Sequence, residues 1–240
     1  MGGILPVIKK ELKSYFNSPI AYIVVLFFLI FTSVWLFYLQ QFLAINVASL
    51  RPYFAAIPLI FIVLLPSLTM RSWAEEKKLG TEELLFTLPF HERDLVLGKF
   101  LSTFILLMII AALTIPLPLT LSSLGHFENG QLFGEYLGML LLGAAGISIG
   151  QFMSAVSTNQ ITAFIASVIL LLILTLAGQL NAVFNLPGWL SSFLNYISFD
   201  FHFESFRKGL IDSRDVIYFV ILSVLFLYLT IKLILFRKWK

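Results

Sequence analysis

Few groups in the sequence could do covalent or metal chemistry, and their spacing argues against it. Gly146-Ile147-Ser148-Ile149-Gly150 has the Gly-x-Ser-x-Gly spacing that can present a serine nucleophile on a strand–turn–helix elbow. Here it sits in a long apolar run that reads as helix, far in sequence from any histidine that could act as base. The small residues read better as packing positions, since Gly146, Gly150 and Ser154 recur every four residues on one helix face. An intramembrane enzyme built on Ser148 remains the alternative, and Ser148→Ala tests it. His91, His126 and His202 show no His-Glu-x-x-His spacing, so no metal site is expected. The chain has no cysteine, which excludes disulfides, thiolate ligands and a Cys nucleophile. Gly98-Lys99 is followed by Phe100 and lacks the upstream glycine of a phosphate-binding loop. No catalytic residue and no bound cofactor are therefore expected in this chain.

The elements that hold these residues are membrane helices. Of 240 residues, 59% are hydrophobic and 12% charged, against about a quarter charged in soluble domains. The mean hydropathy is +0.95. Apolar runs at 20–39, 53–70, 95–121, 132–156, 161–184 and 216–236 predict six transmembrane helices in a single all-α domain over 1–240. Pro58 and Pro66 predict a kink in the second span. The run at 20–39 is too long for a signal peptide's apolar core. No Lys, Arg, Asp or Glu falls at the centre of a span, which argues against an ion-coupled carrier and leaves an external energy source. A net charge of +3 gives no reason to expect nucleic-acid binding.

Three polar segments punctuate the spans. Residues 4–17 place Leu5, Ile8, Leu12 and Tyr15 or Phe16 on one stripe, with Lys9, Lys10 and Lys13 off it, and so predict an interfacial helix. Residues 71–94 form a charged loop tethered by two spans. In it, Gly80 permits a turn, Thr81 can cap a helix, Glu82 and Glu83 suit its first turn, and Leu84, Leu85 and Leu88 share a face before Pro89. Its plain reading is a connecting loop resting on the membrane; its sharper reading is a docking element for a soluble partner. Residues 185–214 are too apolar for a free loop and too polar for a span. They read as one or two short helices dipping back into the outer leaflet. Phe199, Phe201, Phe203 and Phe206 alternate there with charged residues, as an interfacial anchor or an outer gate. With the N-terminus inside, 12 of the 16 Lys and Arg fall on the inner side, so both termini are expected to be cytoplasmic.

The run MRSWAEEKKLGTEELLFTLP followed by RDLVLGKF resembles the cytoplasmic loop of permease subunits of ABC-2 type ABC transporters. With KKELKSYFNSPIAYI at 9–23 and FHFESFRKGLIDSRDVIYF at 201–219, it is most similar to the gliding-motility-associated permeases. The resemblance implies the ABC-2 permease fold, with a cytoplasmic coupling helix between spans two and three and outer re-entrant helices before span six. It favours the gate reading of the four phenylalanines. It implies ATP-driven transport, with export as the expected direction. ATP and Mg would then be bound by separate ABC ATPase subunits. It assigns the coupling role to Glu75, Glu76, Gly80, Thr81, Glu82, Glu83, Leu84 and Leu88. Expected partners are those ATPases, a second permease chain (identical or related), the lipid bilayer of a bacterial inner membrane, and an extracytoplasmic accessory protein. The alternative is a non-transporting membrane anchor for an ATPase that powers a motility or envelope assembly.

Overall fold

In the computed structural model, which describes residues 3–42, 49–81, 91–121, 128–180 and 187–238, the chain is helical and no strand occurs among those residues. The elements are α1 (Ile4–Asn17), α2 (Pro19–Val34, continued by a π-helical turn at Trp35–Leu39), α3 (Arg51–Ala55), α4 (Ile57–Thr69), α5 (Ala74–Lys78) and α6 (Glu92–Thr114). There follow α7 (Pro116–Leu121), α8 (Asn129–Val156), α9 (Gln160–Leu176, continued by a 3-10 turn at Ala177–Gln179), α10 (Gly188–Ile197), α11 (Phe199–Arg207) and α12 (Ser213–Lys238). Among the described residues, six stretches are long and apolar enough to cross a bilayer: Pro19–Leu39, Ile57–Lys78, Glu92–Leu121, Gly130–Val156, Gln160–Gln179 and Ser213–Arg237.

Local chemistry sets several of these boundaries. Ser18 accepts from the Ile20 amide at 3.4 Å and Pro19 takes the first helical position, so α1 and α2 meet at a sharp corner. Asn159 Oδ1 accepts from the Thr162 amide at 2.9 Å and caps α9. Pro58 lies at the start of α4, just past the break that separates it from α3, and Pro66 lies inside α4.

The core forms around α8, which packs against α4, α6, α9, α11 and α12. Its glycines admit the neighbours' side chains. A Cβ on Gly138 would come within 2.5 Å of Phe206, one on Gly143 within 2.2 Å of Leu107, and one on Gly146 within 2.2 Å of Leu65. Burial separates inner helices from outer ones: 67% of the apolar window is buried in the Ile57–Lys78 and Gly130–Val156 spans, but 28% in those containing α2, α9 and α12. The outer helices therefore present apolar faces outward, as a chain solvated by lipid does.

Helix α1 packs lengthwise against α6. It does so through Val7, Glu11 and Tyr15, spaced four apart, of which Tyr15 alone belongs to the stripe expected at the interface. Leu5 and Phe16 of that stripe stay exposed, as do Lys9, Lys10 and Lys13.

Candidate functional site

The bundle has two polar ends. At the α1 end, α5 is joined to α8 at both of its own termini. The Trp73 and Ala74 amides donate to Ser154 Oγ at 3.0 and 3.1 Å, and that hydroxyl donates to Met70 O at 3.0 Å. A helix's first amides lack partners within the helix, and a serine from another helix supplies one here. At the other end of α5, Lys77 Nζ donates to the carbonyls of Ala155 and Ser157, where α8 terminates and a cation suits the helix dipole. Residues 71–78, the start of the charged segment at 71–94, are thus packed against α8. Trp73 and Ala74 are buried, and α8 satisfies the polar backbone of the turn. Ser154→Ala is expected to cost about 2–3 kcal/mol, because two buried amides lose their acceptor; thermal unfolding in detergent measures it.

Lys99 lies at the centre of this end. Its side chain is 4% exposed, and Nζ lies 3.0 Å from Glu11 Oε1 on α1 and 2.9 Å from Glu76 Oε1 on α5. The ammonium also stands 5.0 Å from the centre of the Trp73 ring. Lys10 adds a weaker contact to Glu76 at 3.5 Å. Tyr15 OH donates to Leu68 O at 3.0 Å and lies 2.9 Å from Thr103 Oγ1, and burial pushes its phenol up to about 12. Arg71 donates to Ser18 Oγ at 3.1 Å and lies 3.9 Å from Glu75. Three segments far apart in sequence, α1, α5 and the start of α6, are thereby tied at one point. Beside them is a cavity of about 370 Å³ lined by Lys10, Ser14, Ser18, Ser67, Arg71 and Glu75 among others.

Of the residues expected to couple to an ATPase, Glu75 and Glu76 sit in this joint. Gly80 adopts φ +68°, a conformation that favours glycine, and Thr81 Oγ1 donates back to Glu76 O at 3.3 Å. Glu82, Glu83, Leu84 and Leu88 lie outside the described residues. On α8, Gly146 faces Leu65, Gly150 faces Thr69, and Ser154 makes the bonds given above. Ser148 is fully buried in mid-helix and donates to Ala145 O at 2.7 Å, with no strand beside it to form an elbow. Among the described residues no cluster of three metal-ligating side chains occurs.

At the opposite end, α10 and α11 form two short helices. Phe199, Phe203 and Phe206 are buried in the main core, whereas Phe201 is 51% exposed. The four phenylalanines therefore do not form one surface. His202 is buried between Asp215, Tyr196 and Tyr218. Glu135 on α8 is fully buried and accepts from Gln131 Nε2 at 2.8 Å. Sequence reasoning missed Lys99, His202, Asp215 and Glu135 as partners. One signal existed: each is an ionisable residue next to an apolar stretch, and such a residue needs a partner when buried.

A bundle that has, among the described residues, six membrane-length and largely apolar helices defines a multi-pass membrane protein. The family model described as ABC-2 family transporter protein matches residues 38–236, and the chain belongs to that family. Family members of this kind are membrane components without ATPase motifs, and the family implies an ABC ATPase partner. No curated protein matches the sequence at a significant level.

Proposed function

We propose that the chain is the permease subunit of an ATP-driven exporter and receives its drive through the loop at 71–94. The α1 end is the cytoplasmic face of a bacterial inner membrane, and both termini lie there. Separate ATPase subunits bind ATP and Mg. A second permease chain completes the membrane domain, and an extracytoplasmic accessory protein meets the opposite end. The observation that carries this reading is the joint itself. The loop enters through α5, which Ser154, Lys77 and Lys99 fix to α8, α6 and α1. A push on residues 79–90 would therefore move four helices as one body, which is what transmission of a partner's movement needs. Glu75, Glu76, Gly80 and Thr81 form the described part of that lever, and Glu82, Glu83, Leu84 and Leu88 its docking face.

Glu83→Lys combined with Leu84→Asp is expected to abolish co-purification of the ATPase while leaving membrane insertion intact. Recovery of the ATPase at the wild-type level from the double variant would remove the docking role. The resemblance to gliding-motility-associated permeases supports a second reading, in which the chain anchors an ATPase that powers a motility or envelope assembly and moves no solute. Stimulation of ATP hydrolysis by a candidate solute in reconstituted vesicles favours the exporter, and its absence across solute classes favours the anchor.

A further inference from the structure

The buried histidine at the opposite end has an unusual pair of partners. His202 Nδ1 lies 2.6 Å from Asp215 Oδ1, and Nε2 lies 2.8 Å from the carbonyl oxygen of Tyr196. A carbonyl oxygen and an ionised carboxylate only accept, and a neutral imidazole carries a single N–H. A neutral ring beside an ionised Asp215 would therefore turn one nitrogen lone pair onto an oxygen lone pair. Two arrangements satisfy both contacts: an imidazolium with a carboxylate, or a ring protonated at Nε2 that accepts from a protonated Asp215. Each holds one proton more than the neutral ring with the ionised acid.

We infer that His202 and Asp215 together form a proton-binding site that clamps α10 and α11 onto α12. Two further features suit an imidazolium there, and a third tightens the clamp. Tyr196 O belongs to the last turn of α10, where the helix dipole favours a cation. The Tyr218 ring stacks on the imidazole at a centroid distance of 3.9 Å and an interplanar angle of 17°. Tyr218 OH also donates to Ile197 O, so α12 holds two successive carbonyls at the end of α10, one through Asp215 and His202 and one directly.

Several neighbouring charges are engaged elsewhere. On α11, Asp200 faces Arg207 at 4.0 Å and Glu204 pairs with Lys208 at 2.7 Å. On the elements packed against α11, Glu135 of α8 is bonded to Gln131, and α3 carries Arg51 and Tyr53. Arg214 of α12 adjoins Asp215 in sequence. Among the described residues none of these forms an ion pair or hydrogen bond with the imidazole. When the proton leaves, one of the two short contacts becomes repulsive and the clamp opens. The closed form binds one proton more than the open form, so acid favours closure and base favours release.

The absence of cysteine allows a direct test, because two introduced thiols are the only ones present. Spin labels at Trp189→Cys on α10 and Ile221→Cys on α12, both at exposed positions, report the separation by pulsed electron resonance in nanodiscs. From about pH 5 to about pH 9 the parent chain is expected to gain a longer-distance population, release of one proton allowing the open-to-closed ratio to rise by at most about tenfold per pH unit. Asp215→Asn is expected to stay closed throughout, since the amide donates to Nδ1 while Nε2–H donates to Tyr196 O with no added proton. His202→Gln is expected to lose the pH response as well, which keeps the test open if Asp215→Asn does not fold. A parent distribution that does not move, an Asp215→Asn chain that still responds, or one that is open at every pH overturns the inference.

Discussion

Lys99→Met is expected to lower stability by about 3–5 kcal/mol, because removing the buried ammonium leaves two largely buried carboxylates with only the exposed Lys10, at 3.5 and 3.8 Å, to offset their charge. The cluster holds one buried ammonium, Lys99, between two carboxylates, Glu11 and Glu76, whose side chains are 15% and 13% exposed, with the exposed Lys10 at its rim. Methionine matches the length of the lysine stem and keeps its contact with Trp73, so the loss isolates charge rather than packing. The control is the triple variant Lys99→Met, Glu11→Gln, Glu76→Gln. Neutralising all three removes the orphaned charges, and such replacements are often close to neutral in cost. Its unfolding temperature in detergent should therefore lie well above that of Lys99→Met alone. Equal unfolding temperatures for Lys99→Met and the parent would mean that the joint adds nothing to stability. If transport is then assayed with the ATPase, the triple variant separates the two roles of the cluster. It should fold yet transmit poorly, because α1, α5 and α6 are no longer tied by charge.

Phe206→Ala is expected to cost about 2–4 kcal/mol, whereas Phe201→Ala should change stability by less than about 0.5 kcal/mol. Both residues lie on α11, but Phe206 is fully buried against Gly138 of α8 and Phe219 of α12, and Phe201 is half exposed. The figure for Phe206 sits below the full range for soluble cores, because lipid rather than water is the alternative surrounding of the ring. What is lost is dispersion contact in a space that glycine was needed to open. Refilling that space from the other side, with Gly138→Val in the Phe206→Ala background, should recover part of the loss. The same Gly138→Val in the parent should destabilise, since even a Cβ there would come within 2.5 Å of Phe206. A thermodynamic cycle over the four chains measures the coupling.

These residues also show what could be read from the sequence. The six spans were legible because a run of apolar residues about 30 Å long has one stable environment. The two short helices at 188–207 were legible because their composition suited neither water nor lipid. The positions of the helix ends were less so. The last helix begins at Ser213 and α8 at Asn129, each a few residues before its apolar run, because backbone bonding continues after the side chains turn polar. The joint was not legible. Glu75, Glu76 and Lys99 look like ordinary loop charges until Ser154, some eighty residues away, is known to hold the turn between them. Alternation of aromatic and charged residues in α11 was open to two readings, an interfacial anchor or an outer gate, and did not say which rings turn inward. Helical geometry sent Phe199, Phe203 and Phe206 inward at spacings of four and three, and left Phe201 on the other side.

The contact between Val7 and Gly98 has a consequence for how the protein is made. A Cβ at Gly98 would lie 2.6 Å from Val7, so α1 rests in a notch that exists only once α6 has been synthesised. At roughly 5–20 residues per second, the ribosome delivers that notch about 5–18 s after Val7. Through that interval the first helix has no notch to rest in, and Leu5 and Phe16, which even the finished fold leaves uncovered, are available to another apolar surface.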